Sequence, residues 1–588
     1  MISFNIKHLG WKGMACSAII AAATLTACSD WDDHFDTNSS VLDSQRSTLW
    51  QQIDKADNLT QFASLLKKTG YDEKLSASQT YTVWAPVDNS FDYDVLSQYG
   101  NERLLREFVE NHIARNNYPA SGVVNKKIYM LNEKKMSFDG ASDYSIQGVK
   151  LAIPNLSSCS NGTLHAVDGK VPFLSSIYES LNNYDYELDS ISAFIKSYDE
   201  KKIDESKSKK GPVLHGEQTY LDTVYYEHND LYDIYDAYIN VEDSSYTMVA
   251  PTNKAWNKAY ATVSSFFKYV PEFEFMESVE NQTIQKVKLD DAAAITDSIA
   301  KIYLAGELFY NNNIYDNKKL KNQQDGASLK MDSLMSTIGA KSYSEDAANL
   351  FAHTTRVDKS NGAIWVTADD SLHVRTWNLW NPELRFETEY SRFLAYVSNG
   401  SAEAVPVNRK NEEVDGKVSN NSYLEITPAS KAVNPEVNFY LPGVRSTEYS
   451  AYIVFVPANI NSKYYSEPLK KNHVEVTFYY ADEKGKTKDI TFKDIDPAVD
   501  SLQNVEGMTA KVDTTYIGDV TFPTSYVGMS GSNQTYAPYV RIRSRVGSKQ
   551  TAIYDRTMRI DCIILRPKNL DTYIKEHPDY KYDRGLYN

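Results

Sequence analysis

The chain contains one domain-sized pattern twice. Leu59-Thr-Gln-Phe-Ala-Ser-Leu-Leu66 is answered by Leu188-Asp-Ser-Ile-Ser-Ala-Phe-Ile195. Tyr81-Thr-Val-Trp-Ala-Pro-Val-Asp-Asn-Ser-Phe91 returns as Tyr246-Thr-Met-Val-Ala-Pro-Thr-Asn-Lys-Ala-Trp256, and Asn161-Gly-Thr-Leu-His-Ala-Val-Asp168 returns as Asn361-Gly-Ala-Ile-Trp-Val-Thr367. The three pairs come in the same order, which means two copies of one fold. Chemistry accounts for each piece. Leu59, Phe62, Leu65 and Leu66 share one helical face. Tyr-Thr-Val-Trp is aromatic and β-branched, hence a strand. The following Ala-Pro ends it, since proline has no donor for a ladder, and Asp88 or Asn253 is placed to cap a helix beginning at the next residues. Asn-Gly ahead of an apolar run is a hairpin turn feeding a strand.

These boxes resemble those of the fasciclin domain: a strand before Ala-Pro-Thr/Asp and an Asn-Gly-x-apolar-His-x-apolar-Asp strand. Asn111-His112-Ile113 stands close to the Tyr-His that the family carries. The resemblance places a first fasciclin-like domain at 45–178 and a second, with insertions, at 185–375. The second copy has Trp365 where the first has His165, and no histidine in Leu308-Phe-Tyr-Asn-Asn312. Its boxes are also farther apart, Tyr246 to Asn361 against Tyr81 to Asn161. Lys201 to Lys210 reads as an inserted charged loop, and Tyr220 to Tyr226 as an added strand. The resemblance implies an α+β module serving adhesion and protein contact without a catalytic group. It also implies that His112 is a packed, hydrogen-bonded core residue.

From about 385 the texture is β-rich. Val437-x-Phe439-x-Leu441, Ala451 to Val456, Val474-x-Val476-x-Phe478, Val540-x-Ile542 and Met558 to Ile564 alternate or run apolar between turn residues, as in a β-sandwich of jelly-roll type. The two strands joined by Pro442-Gly443 resemble the central hairpin region of galactose-binding-like carbohydrate modules, and Arg559 to Arg566 resembles their last strand. The expected fold class is therefore α+β: two fasciclin-like domains followed by an all-β sandwich at 385–588. A fragment beginning near 385 is expected to bind ligand alone. Two features bear on binding, one at the junction of the second and third domains and one within the third. Trp377 and Trp380, in Trp-Asn-Leu-Trp, either stack on a sugar ring or pack a seam between domains. No tryptophan follows Trp380, so a sugar platform farther on must use some of the 43 tyrosines. Arg541, Arg543 and Arg545 share a strand face, where they meet either an acidic glycan or local carboxylates.

The amino terminus has its own chemistry. Lys7 and Lys12 precede an apolar run from Ala15 to Ala27, too short for the roughly 20 residues of a membrane span. Leu25-Thr-Ala-Cys28 resembles the lipobox of bacterial lipoproteins, which implies removal of residues 1–27 and acylation of Cys28. Several acyl chains anchor a protein stably where one does not. Ser29, Asp30, Asp32 and Asp33, with Trp31 between, resemble the surface-export signal of Bacteroidetes-type lipoproteins, leaving 28–44 as an acidic tether. By analogy, the expected place is the outer face of the outer membrane, and the expected partner a SusC/SusD-like importer.

Several classes are excluded on composition and motif. A net charge of −16 without a long Lys/Arg run argues against nucleic acid. The ten histidines form no metal-ligand spacing, and no nucleophile elbow or phosphate loop occurs, so neither a catalytic residue, a metal nor a cofactor is expected. With Cys28 lipidated, Cys159 and Cys562 fall in different domains, and Cys562 reads as a core thiol between Ile560 and Ile564. The reading is non-catalytic binding, by glycan capture alongside an importer or, alternatively, by adhesion or structural protein contact without a glycan.

Overall fold

The computed structural model describes residues 46–181, 186–206, 208–223, 225–278, 280–398, 401–407, 418–460, 469–497, 512–530 and 536–582. The lipobox and export residues Cys28, Ser29, Asp30, Asp32 and Asp33 lie outside them.

In the first module β1 (Tyr81–Pro86), β2 (Ile113–Arg115), β3 (Val124–Tyr129), β4 (Lys135–Gly140), β5 (Ser145–Ile146), β6 (Val149–Cys159) and β7 (Gly162–Val167) form one sheet in the order β2-β1-β7-β6-β5-β4-β3. β1 and β7 are its parallel pair. They carry the repeated boxes as apolar runs because both their faces are buried. Val83, Ala85 and Leu164 meet the helices Leu49–Lys55, Thr60–Thr69 and Tyr71–Ser76, while Trp84 and Val167 meet Phe138 and Ile146 on the other side.

The second module holds β8 (Asp199–Ile203), β9 (Lys209–Leu214), β10 (Glu217–Asp222), β11 (Tyr225–Asn229), β12 (Tyr246–Ala250), β13 (Glu272–Ser278), β14 (Thr283–Lys288), β15 (Phe309–Asn311), β16 (Ser333–Met335), β17 (Lys341–Tyr343), β18 (Thr354–Lys359) and β19 (Gly362–Thr367). Its central sheet, β15-β12-β19-β18, repeats β2-β1-β7-β6 with the parallel pair in the same place. Even the register repeats: Tyr81 faces Gly162, and Tyr246 faces Gly362. The Asn of each hairpin box ties the sheet to helical segments. Asn161 accepts from the Leu49 amide and donates to the carbonyls of Leu75 and Ala77. Asn361 accepts from the Ile177 amide and donates to the carbonyls of Ile239 and Val241.

Two local expectations are corrected. Asp88 and Asn253 do not cap the helices that follow them. Asp88 accepts from the amides of Thr60 and Gln61, and Asn253 from that of Ser190, so each meets the start of an earlier helix of its own repeat, Thr60–Thr69 and Asp189–Lys196. The Lys201 to Lys210 stretch is strand at both its ends: β8 pairs with β11 and β9 with β10, making an antiparallel arm in which the Tyr220–Tyr226 stretch is divided between β10 and β11.

The third module is built from β20 (Leu384–Glu387), β21 (Leu394–Val397), β22 (Ser401–Val407), β23 (Tyr423–Pro428), β24 (Glu436–Tyr440), β25 (Glu448–Phe455), β26 (Val474–Ala481), β27 (Thr487–Ile495), β28 (Asp513–Thr521), β29 (Tyr539–Ser544) and β30 (Met558–Pro567). One sheet runs β22-β23-β30-β25-β28 with β20 also on β30, the other β21-β24-β29-β26-β27. Their pairings are antiparallel, and both sheets contribute to one apolar core. Pro442-Gly443 joins β24 to β25 in the opposite sheet, so this pair is a crossover and not the expected hairpin.

That core does not stop at the third module. Phe267, Phe273 and Leu304 of the second module belong to the same continuous cluster as Val437, Phe439 and Val540. The β13–β14 ribbon lies against the third module, with the Glu274 amide donating to the Gly485 carbonyl at 2.7 Å and Phe275 packed edge-on to Tyr536. A chain beginning at 385 would therefore lose the second-module side of a shared apolar cluster, a cost that the expectation of a fragment binding alone did not include. The first module keeps its own clusters and meets the second through charge. Lys134, almost fully buried, pairs with Glu179 and Glu242. Burial opposes ionisation of Glu179, yet Lys134 and Arg106 beside it hold its carboxyl below the usual range.

One buried acid in the second module sets a pH dependence. An ordinary glutamate ionises near 4.5; burial pushes Glu307 up to about 8, although Ser336 donates to it at 2.6 Å. The folded chain thus holds a proton here that the unfolded chain has released, so this group's contribution to stability falls as pH rises from about 4.5 to 8. Glu307→Gln should gain stability relative to wild type at pH 9 and gain little at pH 4.5, read as the difference in Tm at the two pH values.

Candidate functional site on the outer face of the five-stranded sheet

Strand alternation divides this sheet cleanly. Val437 and Phe439 of β24, Val540 and Ile542 of β29, and Val476 and Phe478 of β26 point into the core. The residues between them form three rows across the other face. Glu436, Arg543 and Glu475 are in register, as are Asn438, Arg541 and Thr477, and then Tyr440, Tyr539 and Tyr479. The Tyr479 and Tyr539 rings stack at 4.5 Å between centroids. Burial raises the Tyr539 phenol above its ordinary range, and its hydroxyl meets Met276 Sδ of the β13 ribbon at 3.0 Å. An insertion of the second module thus bounds the tyrosine end of the face.

The polar row is under-satisfied. Asn438 is fully buried, and neither its amide oxygen nor its amide nitrogen has a partner among the described residues; Arg541 Nε is in the same position. Leaving one such group unpaired costs about 1–3 kcal/mol, so this row holds unspent hydrogen-bonding capacity. Arg541 Nη2 donates to Thr477 Oγ1 at 3.3 Å, and Thr477 also meets Thr491 at 3.0 Å. Arg541, Arg543 and Arg545 face Glu475, Glu436 and Glu475 at 3.8, 3.8 and 3.9 Å, so the arginine stripe has local carboxylates, held loosely. Asn438, Thr477 and Tyr539 are themselves buried, so what the face presents is the partly exposed rings of Tyr440 and Tyr479 with guanidinium groups and carboxylates around them, groups that stack on and hydrogen-bond a hydroxyl-rich ring.

The other residues singled out in the sequence fall elsewhere. Trp380 is 3% exposed within the shared core, so its ring is not available to stack on a sugar. Trp377 packs on Tyr573 and donates its indole N–H to Tyr580 at 2.9 Å, both residues lying in the segment that follows β30. Arg375 lies 4.1 Å from the Tyr573 ring centroid and binds Asp346 at 2.9 Å. The Trp-Asn-Leu-Trp segment is thus a seam, and the expectation of a binding pair there is corrected. His112 donates from Nδ1 to the Phe108 carbonyl and accepts from the Val171 amide at Nε2; burial lowers it to about 4, as it does His165. Both are neutral core residues.

Among the described residues, two other groups gather donors of metal-ligand type: His353, Asp369 and His373 near the surface, and the buried trio Glu387, Asp561 and Cys562. In the trio Arg385 already supplies a cation, reaching Cys562 Sγ at 3.1 Å and Glu387 at 3.7 Å. The Ser419 hydroxyl meets Glu387 at 2.5 Å and Asp561 at 2.6 Å but carries one proton. Burial pushes Asp561 up to about 7 and raises Glu387 as well, so this pair holds protons more tightly than free carboxyls do.

Comparison with known proteins bears on the first module most directly: residues 57–170 match the family model described as Fasciclin domain, on an α+β fold. A FAS1 domain pair from the insect cell adhesion molecule fasciclin I aligns with 13% identity and a TM-score of 0.19, over 55% of this chain and 98% of that one. Paenibacillus xanthan lyase aligns with 12% identity and a TM-score of 0.19, over 32% of this chain and 13% of that one. The CBM22-1–GH10 modules of Clostridium thermocellum endo-1,4-beta-D-xylanase 10B, complexed with xylohexaose, align with 14% identity and a TM-score of 0.18, over 32% and 28%. With TM-scores this low, none of the three decides a fold or a function. No curated protein matches the chain.

Proposed function

We propose that this is a non-catalytic binding protein whose third module holds a glycan on the outer face of β24, β29 and β26. The observation that carries the reading is the polar row in which Arg541 stands in register beside the unpartnered Asn438 amide and 5.4 Å from the Tyr479 ring centroid, one row from the Tyr479–Tyr539 stack. The fasciclin module at 57–170 then serves as spacer and contact surface. Acylated Cys28 anchors the chain, Ser29, Asp30, Asp32 and Asp33 direct it to the outer face of the outer membrane, and a SusC/SusD-like importer receives the captured glycan. A second reading, adhesion or structural contact with no glycan, draws on the β8–β11 arm, where Val213, Leu214, Leu221 and Tyr225 stand exposed.

A glycan array probed with the full chain separates the two. Capture predicts hits with affinity in the millimolar-to-micromolar range, weakened at least about tenfold, or 1.4 kcal/mol, by Asn438→Ala or Arg541→Ala. An array without hits, or hits indifferent to both substitutions, would leave adhesion as the better account.

A further inference from the structure

We propose that His353, Asp369 and His373 form a zinc site. The three donors come from separate points of the chain that the fold brings together. His353 directly follows the helix Ser344–Ala352 and precedes β18; Thr354 pairs with Thr367 at the end of β19, and the Ala368 amide donates to the His353 carbonyl at 2.8 Å. Asp369 is the next residue, so paired strands fix its position relative to His353. Its Oδ1 accepts from the Ser371 amide at 3.1 Å, which turns Oδ2 toward both rings. That oxygen lies 2.7 Å from His373 Nε2 and 3.8 Å from His353 Nδ1. The two imidazoles stack with centroids 3.9 Å apart.

Two imidazole nitrogens and one carboxylate oxygen are a donor set suited to zinc and poorly suited to magnesium or calcium, which take oxygen ligands. Bonds of about 2.0–2.2 Å in tetrahedral array place donors roughly 3.3 Å apart, and the present separations fall on either side of that value. Because each imidazole lone pair lies in its ring plane, the two stacked rings must swing out of the stack for both nitrogens to face one ion, a movement their exposure at the surface permits. The side chains of His353 and Asp369 are about half exposed and that of His373 about one-third, which leaves water the fourth position and an open path for entry. Binding would staple the end of the Ser344–Ala352 helix to the turn leading to Arg375 and Trp377. A local metal would thereby brace the seam between the second module and the segment after β30.

The test is a calorimetric titration of zinc chloride into the full chain, first stripped with chelator and dialysed. We expect one zinc ion per chain and a Tm that rises with zinc. His353→Ala and His373→Ala should each abolish both effects while leaving the zinc-free Tm unchanged, since both rings sit at the surface. Excess magnesium or calcium should not compete. Absence of binding by the wild type overturns the site. So does zinc binding that survives in the double variant, which would place the ion at another pair such as His473 and Asp496. Displacement by calcium would overturn the choice of metal.

Discussion

Replacing Gly162 by alanine will unfold the first module and leave the rest of the chain folded, whereas the same change at Gly362 will bring down the second and third modules together. Each glycine opens the hairpin-box strand with φ near +143°, a backbone region that side chains with a Cβ rarely adopt. Each also lies against the first residue of the neighbouring parallel strand. A Cβ would sit 1.7 Å from the Tyr81 carbonyl oxygen at Gly162, and 1.8 Å from that of Tyr246 at Gly362. Backbone cannot yield there without breaking the central strand pair, so the cost should exceed about 4 kcal/mol, the range of the most damaging single substitutions. The difference in extent follows from the cores: the first module has its own clusters, while the second and third share one. Differential scanning calorimetry should show two transitions in the wild type and lose the matching one in each variant.

Trp380→Ala will be the second large effect, at about 3–5 kcal/mol, the usual range for removing a fully buried tryptophan. The indole belongs to the core common to the last two modules, so the loss should appear as a lower urea midpoint for their joint transition, with the first module's transition unmoved. Trp377→Ala should cost less, because its ring is partly exposed and its main loss is the bond to Tyr580. Equal effects at the two positions would mean that the seam is not continuous with the core.

The repeated boxes were legible because β1, β7, β12 and β19 are buried on both faces, which forces continuous apolar runs, and because Gly162 and Gly362 meet a requirement only glycine meets. The reversed caps were not legible: Asp88 is far nearer in sequence to the helix after it than to Thr60 and Gln61, and only the fold brings it to their amides. Pro442-Gly443 signals a turn but cannot say whether the next strand stays in the same sheet. The candidate face was half visible. Polar residues alternate with apolar ones at Glu436, Asn438 and Tyr440, and again at Glu475, Thr477 and Tyr479, a pattern that marks one outward face per strand. Which residue stands beside which depends on register across three strands, and the sequence alone named only the arginines of β29. His353, Asp369 and His373 escaped a search by spacing because the first is joined to the others through a strand pair. The expectation for Trp377 and Trp380 turned on whether the rings were exposed, which composition does not fix.

The most direct measurement is hydrogen–deuterium exchange of the full chain with and without an oligosaccharide identified on the array. Bound glycan should slow exchange in peptides covering 436–440, 475–480 and 539–544 together, and Arg541→Ala should remove that protection along with the binding. Protection confined to the fasciclin module at 57–170 or to the β8–β11 arm, with those three strands unchanged, would contradict the assignment of the face.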